Sequence, residues 1–235
     1  MKDIFTLLFR GRKVLLGRDF YQRRQIRRKR MKFGNRFAEW TFCPDSLNED
    51  SVIYSFGVGS DISWDLQLME RFNLHIHAFD PSPGSVAWIK QQDLPDGFHF
   101  YPYGLAASDG EISFAEPAEP GIHSLFATNS EANTGEGLKQ HVLPVHRLGS
   151  ILKNLGHSKI DILKMDIEGA EYEVIDDIIA LQEPVSQVLV EFHHRFPHIG
   201  TKRTRQAIAK LNRAGYRIFH VSATGEEFSF MKTAS

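Results

Sequence analysis

One segment constrains the fold more than any other: at residues 160–174, IDILKMDIEGAEYEV, an apolar run ends in two acids and a glycine. Hydrophobic residues that run together instead of alternating are typical of a parallel strand covered on both faces. Asp166 and Glu168 follow this predicted strand, and Gly169 allows the chain to turn into a helix that begins near Ala170. Since ligands in open α/β sheets bind beyond the carboxyl ends of the strands, the two carboxylates are candidate site residues.

The acids of this segment have a second interpretation, because negative charge near a helix N-terminus is stabilising by about 0.3 to 1 kcal/mol. We favour this capping role for Glu171, which falls in the first turn of the predicted helix. For Asp166 we favour a functional role, because a second acidic strand end, at Asp80, has the same design. The two strand ends therefore predict a ligand site at one edge of a parallel sheet.

The first predicted strand of the sheet, VIYSF at residues 52–56, is followed by the glycine-containing turn GVGSDIS. Gly57 and Gly59 would let the backbone approach a ligand closely at this strand-to-helix turn. A dinucleotide fingerprint would need a third glycine at position 62, where the chain has Ile62, and no P-loop sequence follows. The turn therefore disfavours nicotinamide, flavin and P-loop nucleotide sites.

The second predicted strand lies in LHIHAFDPSP and ends at Asp80. An acid in this position is placed to accept hydrogen bonds from both ribose hydroxyls of an adenosine-type ligand. The alternative is that Asp80 caps the helix that the following prolines open. We favour the ligand role, because Asp80 is paired with the glycine turn about twenty residues upstream.

Two later segments complete the predicted site. The apolar strand in VSQVLVEFHH ends in Glu191 and His193, so that acids and histidines from two adjacent strand ends would converge on one rim. Residues 116–137 are rich in Pro, Gly, Ser, Asn and Glu, and a loop of this length is typically a functional lid or disordered; we expect it to select the substrate, with His123 and Ser124 as its most chemically capable members. The segments YRIFHVS and EFSFM predict a closing antiparallel hairpin.

Charge is distributed unevenly along the chain, whose 28 Lys and Arg residues and 29 Asp and Glu residues give a net charge of −1. Residues 1–36 hold 13 basic and 2 acidic residues, a charge of +11, which leaves 15 basic and 27 acidic residues, or −12, for residues 37–235. We interpret residues 1–46 as a basic arm and linker and residues 47–235 as one compact domain. The arm has the charge to attract an anionic membrane surface or nucleic acid, or to fold back onto the acidic body.

The composition also bears on location. The single cysteine, Cys43, cannot form an intrachain disulfide, and no apolar run approaches the roughly 18 residues of a membrane span. We therefore expect a cytoplasmic protein, with the basic arm allowing peripheral binding at a membrane surface. No zinc-ligand spacing or RNA-binding motif supports nucleic-acid recognition.

The order of these motifs resembles the class I S-adenosylmethionine-dependent methyltransferases. More narrowly, KMDIEGAE, together with FGVGSD, AFDPSP and LVEFH, is similar to the FkbM family and its methyltransferase-like 24 relatives. The resemblance implies an α/β, Rossmann-like class I methyltransferase fold, in which a seven-stranded, mostly parallel sheet ends in a C-terminal antiparallel hairpin. It also implies that the cofactor S-adenosylmethionine is bound by Phe56, Gly57, Gly59, Asp61, Asp80, Leu105 and Ala106.

The resemblance places Asp166 and Glu168 beside the site of methyl transfer. We predict O-methylation of a small-molecule or sugar-type hydroxyl acceptor, because a methyl group moves by in-line displacement and a hydroxyl acceptor needs a base. Asp166 or His193 would be this base, and Glu168 or Glu191 would orient the acceptor. A divalent metal held by Asp166, Glu191 and His193 is an alternative use of the same residues.

Two positions depart from the resemblance. The usual methyltransferase turn begins with an acid and has a third glycine, where this chain has Ser55 and Asp61. Asp61 is predicted to compensate in part by contacting the amino-acid end of the cofactor. The missing acid leaves one alternative, a binding module that has lost catalysis and docks through its basic arm. A second alternative is a nucleic-acid methyltransferase that uses the arm as an electrostatic clamp.

Overall fold

The computed structural model describes residues 2–17, 19–36, 38–115, 126–127, 140–181, 185–196 and 198–233. In chain order its elements are α1 (Lys2–Leu15), β1 (Met31–Phe33), β2 (Trp40–Phe42), β3 (Ile53–Phe56), α2 (Ser63–Phe72), β4 (Ile76–Phe79), α3 (Pro83–Ile89), β5 (Phe98–Tyr101), β6 (Gly104–Leu105), β7 (Gly110–Ala115), β8 (Phe126–Ala127), β9 (Gln140–His146), α4 (Leu148–Leu155), β10 (Ile160–Met165), α5 (Glu171–Ala180), β11 (Val185–Glu191), α6 (Gly200–Arg213), β12 (Tyr216–Val221) and β13 (Glu227–Lys232).

Seven of these strands form one sheet in the order β12-β13-β11-β10-β3-β4-β5. The five strands from β11 to β5 are parallel, whereas β13 runs antiparallel to both β11 and β12. The predicted fold class, a Rossmann-like α/β fold with a C-terminal antiparallel hairpin, is therefore confirmed. Because β3, β4, β10 and β11 are parallel neighbours, the residues that follow them meet at one edge of the sheet.

Burial explains why these segments form the centre of the sheet. Every residue of β3 and of β10 is buried, as expected for parallel strands covered on both faces. Apolar side chains of α4, α5 and α6 pack against one face, including Ile151, Ile175 and Leu211. Those of α2 and α3 pack against the other, including Trp64 and Ile89. Each such side chain contributes about 1.5–3 kcal/mol by leaving water.

A smaller four-stranded sheet, in the order β6-β9-β7-β8, lies after the main strands β3 to β5 in the chain. Its register pairs Gly110 with Val145 and Phe114 with His141 between the antiparallel strands β7 and β9. The predicted lid at residues 116–137, with His123 and Ser124, lies outside the described residues except for the two residues of β8.

The segment before residue 47 contacts the main sheet at several points. The side chain of Gln187 on β11 pairs with both the backbone N–H and the carbonyl of Cys43, at 2.8 Å each. The hydroxyl of Ser229 donates to the carbonyl of Thr41 at 2.6 Å. Trp40, the first residue of β2, is buried among the residues that cover one face of the sheet. These contacts join the two sides of the predicted domain boundary at residue 46. The boundary itself stays a prediction.

Asp19 anchors the basic arm to the loop after β11. Arg195 donates to its carboxylate at 2.7 Å, and the Nε2 atom of His194 lies 3.3 Å from the same carboxylate. Burial raises the pKa of Asp19, but the hydrogen bonds from Arg195 and from the backbone of Phe20 outweigh it and leave the pKa below its usual value. Part of the arm is thus held in place by a buried ion pair.

None of the helices in the described part of the chain is long and apolar enough to cross a bilayer.

Candidate active site

A cavity of about 310 Å³ opens where the carboxyl ends of β3, β4, β10 and β11 meet. Asp80 and Asp166, which were predicted from separate motifs, both line it. The cavity therefore brings the two acidic strand ends together, as the sequence predicts. The predicted site residues that line it are Phe56, Gly57, Gly59, Asp61, Asp80, Leu105, Ala106, Asp166, Glu168 and Glu191. His193 is buried and contacts two of these acids.

The glycine turn after β3 forms part of the cavity wall, and its two glycines serve different purposes. Gly57 has φ +82°, and a Cβ atom at this position would overlap with the backbone carbonyl of Asp166. Gly59 has φ +56°, but a Cβ atom there would meet no atom within 4 Å. Gly57 is thus required for the close packing of β3 against β10, while Gly59 leaves open space.

Asp80 is buried and already accepts five hydrogen bonds from the protein. Its Oδ2 atom accepts from the backbone N–H groups of Val58 and Gly59 and from the hydroxyl of Ser85, at 2.9–3.0 Å. Its Oδ1 atom accepts from the backbone N–H and the hydroxyl of Ser82, at 2.9 and 2.6 Å. Asp80 therefore ties the glycine turn to the start of α3, and a ribose could bind it only by displacing a serine hydroxyl.

Several residues in the cavity wall were not predicted from the sequence, among them Trp40, Asp65 and Lys164. Lys164 is buried in β10, where its ammonium group donates to the carbonyl of Gly57 at 3.0 Å and lies 5.1 Å from the centre of the Trp40 ring. Asp65 is buried in the first turn of α2. The sequence did contain a signal for Lys164 and Asp65. Each is a charged residue within a segment whose apolar residues form the core, and a charged residue in such a position is unusual.

His193 is held by Glu171 and faces the two predicted acids. The Oε1 atom of Glu171, which is fully buried, accepts from the backbone N–H of His193 at 2.9 Å and lies 3.1 Å from Nδ1 of its ring. On the other side of the ring, Nε2 lies 3.2 Å from Glu168 and 3.6 Å from Asp166. Glu171 also accepts from the N–H of Gly169 at 2.8 Å, so it does cap the turn before α5 as predicted. Orienting His193 is a further role that the sequence did not indicate.

The backbone is strained at Glu168, one of the two acids that face His193. Its φ of +52° lies in the left-handed region, which costs a residue other than glycine about 1–2 kcal/mol. The next residue, Gly169, has φ +102° and adopts its conformation without such a cost. Strained residues of this kind concentrate at functional sites, because the surrounding structure must hold them.

The ionisation states at this rim depend on burial and on neighbouring charge. Burial by itself lowers the pKa of His193, but the hydrogen bond and charge of Glu171, with the charges of Glu168 and Asp166, raise it to about 10. Burial, followed by the charges of Asp166 and Glu227, raises the pKa of Glu191 to about 9. Burial also raises the pKa of Asp166, while the charges of Lys164 and His193 act in the opposite direction. At neutral pH these shifts favour the cationic form of His193 and the protonated form of Glu191.

These pKa shifts predict a loss of stability at high pH. Glu191 and His193 both have a higher pKa in the folded protein than in the unfolded chain. Their contribution to the free energy of unfolding is therefore complete at a pH below the unfolded pKa values, about 4.5 for Glu191 and 6.5 for His193. It declines as the pH rises towards the folded pKa values, about 9 for Glu191 and 10 for His193. We expect the midpoint of thermal unfolding to fall as the pH rises from 6.5 to 9. Glu191→Gln, which mimics the protonated acid, should make this decline shallower.

The measurement is a series of thermal unfolding curves at different pH values, in which each kcal/mol moves the midpoint by about 2–4 °C. Glu173→Gln is the matched control, because Glu173 pairs with Arg203 on the exposed surface of α5. Equal slopes for the wild type and Glu191→Gln would contradict the assignment of the proton to Glu191.

Metal binding at this rim would involve Asp166, Glu168 and His193, whose ligand atoms lie within 4.8 Å of one another. This set shares Asp166 and His193 with the predicted set and has Glu168 in place of Glu191. A divalent ion needs a lone pair on the imidazole, whereas the surrounding carboxylates hold His193 in its protonated form. Metal binding at this rim would therefore have to release a proton from His193.

The charge of the cavity favours a cationic ligand. Eight of the described residues that line it are acidic, and one, Lys164, is basic; the acids are Glu39, Asp61, Asp65, Asp80, Asp166, Glu168, Glu191 and Glu227. Even with Glu191 protonated, the acids outnumber the single lysine, and such a surface attracts a positive group and repels phosphate. That pyrophosphate cofactors do not bind at the glycine turn stays a prediction.

The fold and the strand-end cavity define the class of Rossmann-like α/β proteins that includes the methyltransferases. Within this class, the family model described as Methyltransferase FkbM domain matches residues 53–218. The chain belongs to this family, and the predicted family is confirmed.

Comparison with individual known proteins agrees with this assignment. The chain is 26% identical over 199 residues to a human protein named probable methyltransferase-like protein 24, covering 77% of this chain and 47% of that protein. For the rat protein of the same name the identity is 28% over 178 residues, covering 72% and 42%. The chain thus spans less than half the length of these two relatives. It is also 28% identical over 178 residues to the hexuronic acid methyltransferase AglP of Haloferax volcanii, covering 72% of this chain and 70% of AglP.

Proposed function

We propose that this protein transfers a methyl group from S-adenosylmethionine to a hydroxyl group of a small-molecule or sugar-type acceptor. The observation that carries the proposal is the cavity at the strand ends, lined by eight acids and one lysine. S-adenosylmethionine has a positively charged sulfonium group, so an acidic wall suits it better than any phosphate-bearing cofactor. The open space beside Gly59 fits the same ligand. A sugar-type acceptor is supported by the name of the AglP relative, which acts on hexuronic acid.

The bound cofactor would supply an electrophilic methyl group, and the protein would position the acceptor and remove its proton. The acceptor oxygen would replace sulfur as the partner of the methyl carbon, the electron pair of the broken carbon–sulfur bond would stay with sulfur, and the hydroxyl proton would move to the protein. Phe56, Gly57, Gly59, Asp61, Leu105 and Ala106 would surround the cofactor, with Asp80 holding the glycine turn in place.

Of the two predicted bases, the charges of the site favour Asp166. His193 already carries a proton at neutral pH and cannot accept another, whereas Asp166 lies 3.6 Å from its Nε2 atom and keeps access to the cavity. The raised pKa of Asp166 makes it a stronger base than an ordinary carboxylate. His193 would then stabilise the ionised form of Asp166 and orient it. Glu168 would orient the acceptor together with Glu191, which is protonated and able to donate a hydrogen bond.

Calorimetric titration with S-adenosylmethionine tests the cofactor, and mass spectrometry of a panel of neutral sugars and uronic acids incubated with protein and cofactor tests the acceptor. We expect binding in the micromolar range and a gain of one methyl group on a hydroxyl. A protein that binds no S-adenosylmethionine would contradict the proposal. One that binds the cofactor and methylates nothing would favour the binding-module alternative. Loss of activity with EDTA and its recovery with Mg²⁺ would show that Asp166, Glu168 and His193 bind a metal ion instead.

We further propose that the basic arm binds an anionic membrane surface. Four of the five exposed large hydrophobic residues in the described part of the chain lie in the arm: Phe9, Leu15, Leu16 and Tyr21. Exposed arginines and Lys29 follow directly at positions 23–30. Apolar side chains beside a cationic stretch are typical of interfacial segments, in which each Lys or Arg near an anionic surface contributes about 1 kcal/mol. A nucleic-acid clamp would need the charge but not the exposed leucines.

Sedimentation with lipid vesicles tests this use of the arm. We expect the protein to bind vesicles that contain phosphatidylserine and not vesicles of phosphatidylcholine alone, with binding that weakens as salt rises. The double variant Leu15→Ser, Leu16→Ser should weaken vesicle binding, because it removes exposed apolar surface and leaves the charge intact. Salt-dependent RNA binding that this variant retains, without vesicle binding by the wild type, would favour the nucleic-acid alternative instead.

A further inference from the structure

Two buried residues in the wall of the cavity, Lys164 and Asp65, neither donate nor accept the proton in the transfer proposed above. Lys164 is 5% exposed, and its ammonium group has three N–H bonds, of which the carbonyls of Gly57 and Phe56 accept two, at 3.0 and 3.4 Å. Asp65 is 2% exposed, and its Oδ1 atom has no hydrogen-bond partner among the described residues. Both side chains line the cavity.

A buried atom such as Oδ1 of Asp65 lowers the stability of the protein unless a bound ligand supplies its hydrogen-bond partner. A buried polar atom left without a partner costs about 1–3 kcal/mol, and more when it is charged. Burial raises the pKa of Asp65, while the charge of Lys164 and the side chain of Ser55 oppose this rise. A ligand that brings one cation and one anion at adjacent atoms would satisfy both. An α-amino acid group, with its ammonium and carboxylate, has this pattern of charge.

The position of the pair in the sheet fits the same ligand. Lys164 lies on β10, Asp80 follows β4, and β3 lies between the two strands. At an interstrand spacing of about 4.8 Å, these positions are about 10 Å apart. A nucleoside bound near Asp80 would therefore need an extension of several bonds to reach Lys164. Trp40, whose ring lies 5.1 Å from the Lys164 ammonium group, closes this end of the cavity.

We propose that Asp65 and Lys164 form a subsite for the α-amino acid end of the cofactor, in which Asp65 accepts from the ammonium group and Lys164 donates to the carboxylate. The subsite rests on the proposed function, since it needs a nucleoside that carries an amino acid. It replaces Asp61 as the residue for this contact, because the Asp61 carboxylate already accepts from the backbone N–H of Ser63 at 2.8 Å and from the side chain of Asn35 at 3.4 Å.

Two probes separate the subsite from the rest of the cavity. S-adenosylhomocysteine carries the amino acid end, whereas 5′-methylthioadenosine has the same nucleoside and thioether without it. Hydrogen bonds to charged groups contribute about 1.5–3 kcal/mol each, which is about a 10- to 150-fold change in affinity. We therefore expect Asp65→Asn and Lys164→Met each to weaken S-adenosylhomocysteine binding at least about tenfold in calorimetric titrations, and to leave 5′-methylthioadenosine binding unchanged.

Binding of 5′-methylthioadenosine shows that each variant is folded around the cavity, and Lys159→Met, at an exposed lysine just before β10, is the matched control. Equal weakening of both probes in the two variants, or no weakening of either, would overturn the subsite and leave the proposed function standing. A selective loss in Asp61→Asn instead would also overturn it. A wild type that binds neither probe would overturn the proposed function, and the subsite with it.

Discussion

Asp166→Asn is expected to lower the rate of methyl transfer by about 10²–10⁴-fold, because the amide cannot accept the proton of the acceptor hydroxyl. Asparagine has the same shape as aspartate, and the backbone N–H of residue 166 would keep its hydrogen bond to the carbonyl of Phe56. We therefore expect the affinity for S-adenosylmethionine to change only a few-fold. The measurements are kcat with an acceptor identified from the panel and a calorimetric titration with the cofactor.

Asp176→Asn is the matched control for this variant. Asp176 lies on α5, its side chain is 57% exposed, and it pairs with Lys210 on the surface, so the same chemical change there should leave activity intact. Full activity in Asp166→Asn would rule out this residue as the base. A large loss of cofactor affinity without a loss of kcat would assign Asp166 to binding the sulfonium group instead.

Gly57→Ala is expected to destabilise the protein by about 3 kcal/mol or more. The new Cβ atom would overlap with the carbonyl oxygen of Asp166, which is backbone and cannot move away without separating β10 from β3. The left-handed φ of +82° adds a further cost of about 1–2 kcal/mol for any residue with a Cβ atom. In thermal unfolding, the midpoint should fall by about 6–12 °C at this chain length.

Gly59→Ala separates the steric effect from the backbone strain. Gly59 has a similar positive φ, but a Cβ atom there meets nothing within 4 Å, so only the strain of about 1–2 kcal/mol applies. Similar unfolding midpoints for the two variants would show that the contact between the glycine turn and Asp166 does not limit stability.

The main sheet was predictable because its strands are buried on both faces and therefore read as apolar runs. The run at residues 160–165 predicts β10, and VLVEF predicts the end of β11, without any knowledge of their partners. The short strands β1, β2 and β6 were not predicted as strands, because two or three residues show no period. Their pairing depends on contacts between segments, such as that of Thr41 with Ser229.

The candidate site was predictable where it depends on strand ends and not where it depends on packing. Parallel strands end at one edge, so Asp80, Asp166 and Glu191 could be placed near one another from sequence alone. The alternative role considered for Asp80, contact with the start of the following helix, accounts for its bonds from Ser82 and Ser85, but the sequence did not indicate the further bonds from Val58 and Gly59. Nor did it indicate that Glu171 would hold His193, since the two residues come from different elements.

Residues 160–174 were enough to establish a buried parallel strand with acids at its end, because hydrophobic pattern and turn chemistry are local properties. The tertiary structure alone decided which of these acids are charged and which groups face the cavity. A pKa depends on burial and on neighbouring charges, and the neighbours of Asp166 include Lys164 on its own strand and His193 on the loop after β11. The raised pKa of His193, which favours Asp166 over the histidine as the base, is therefore a property of the folded chain.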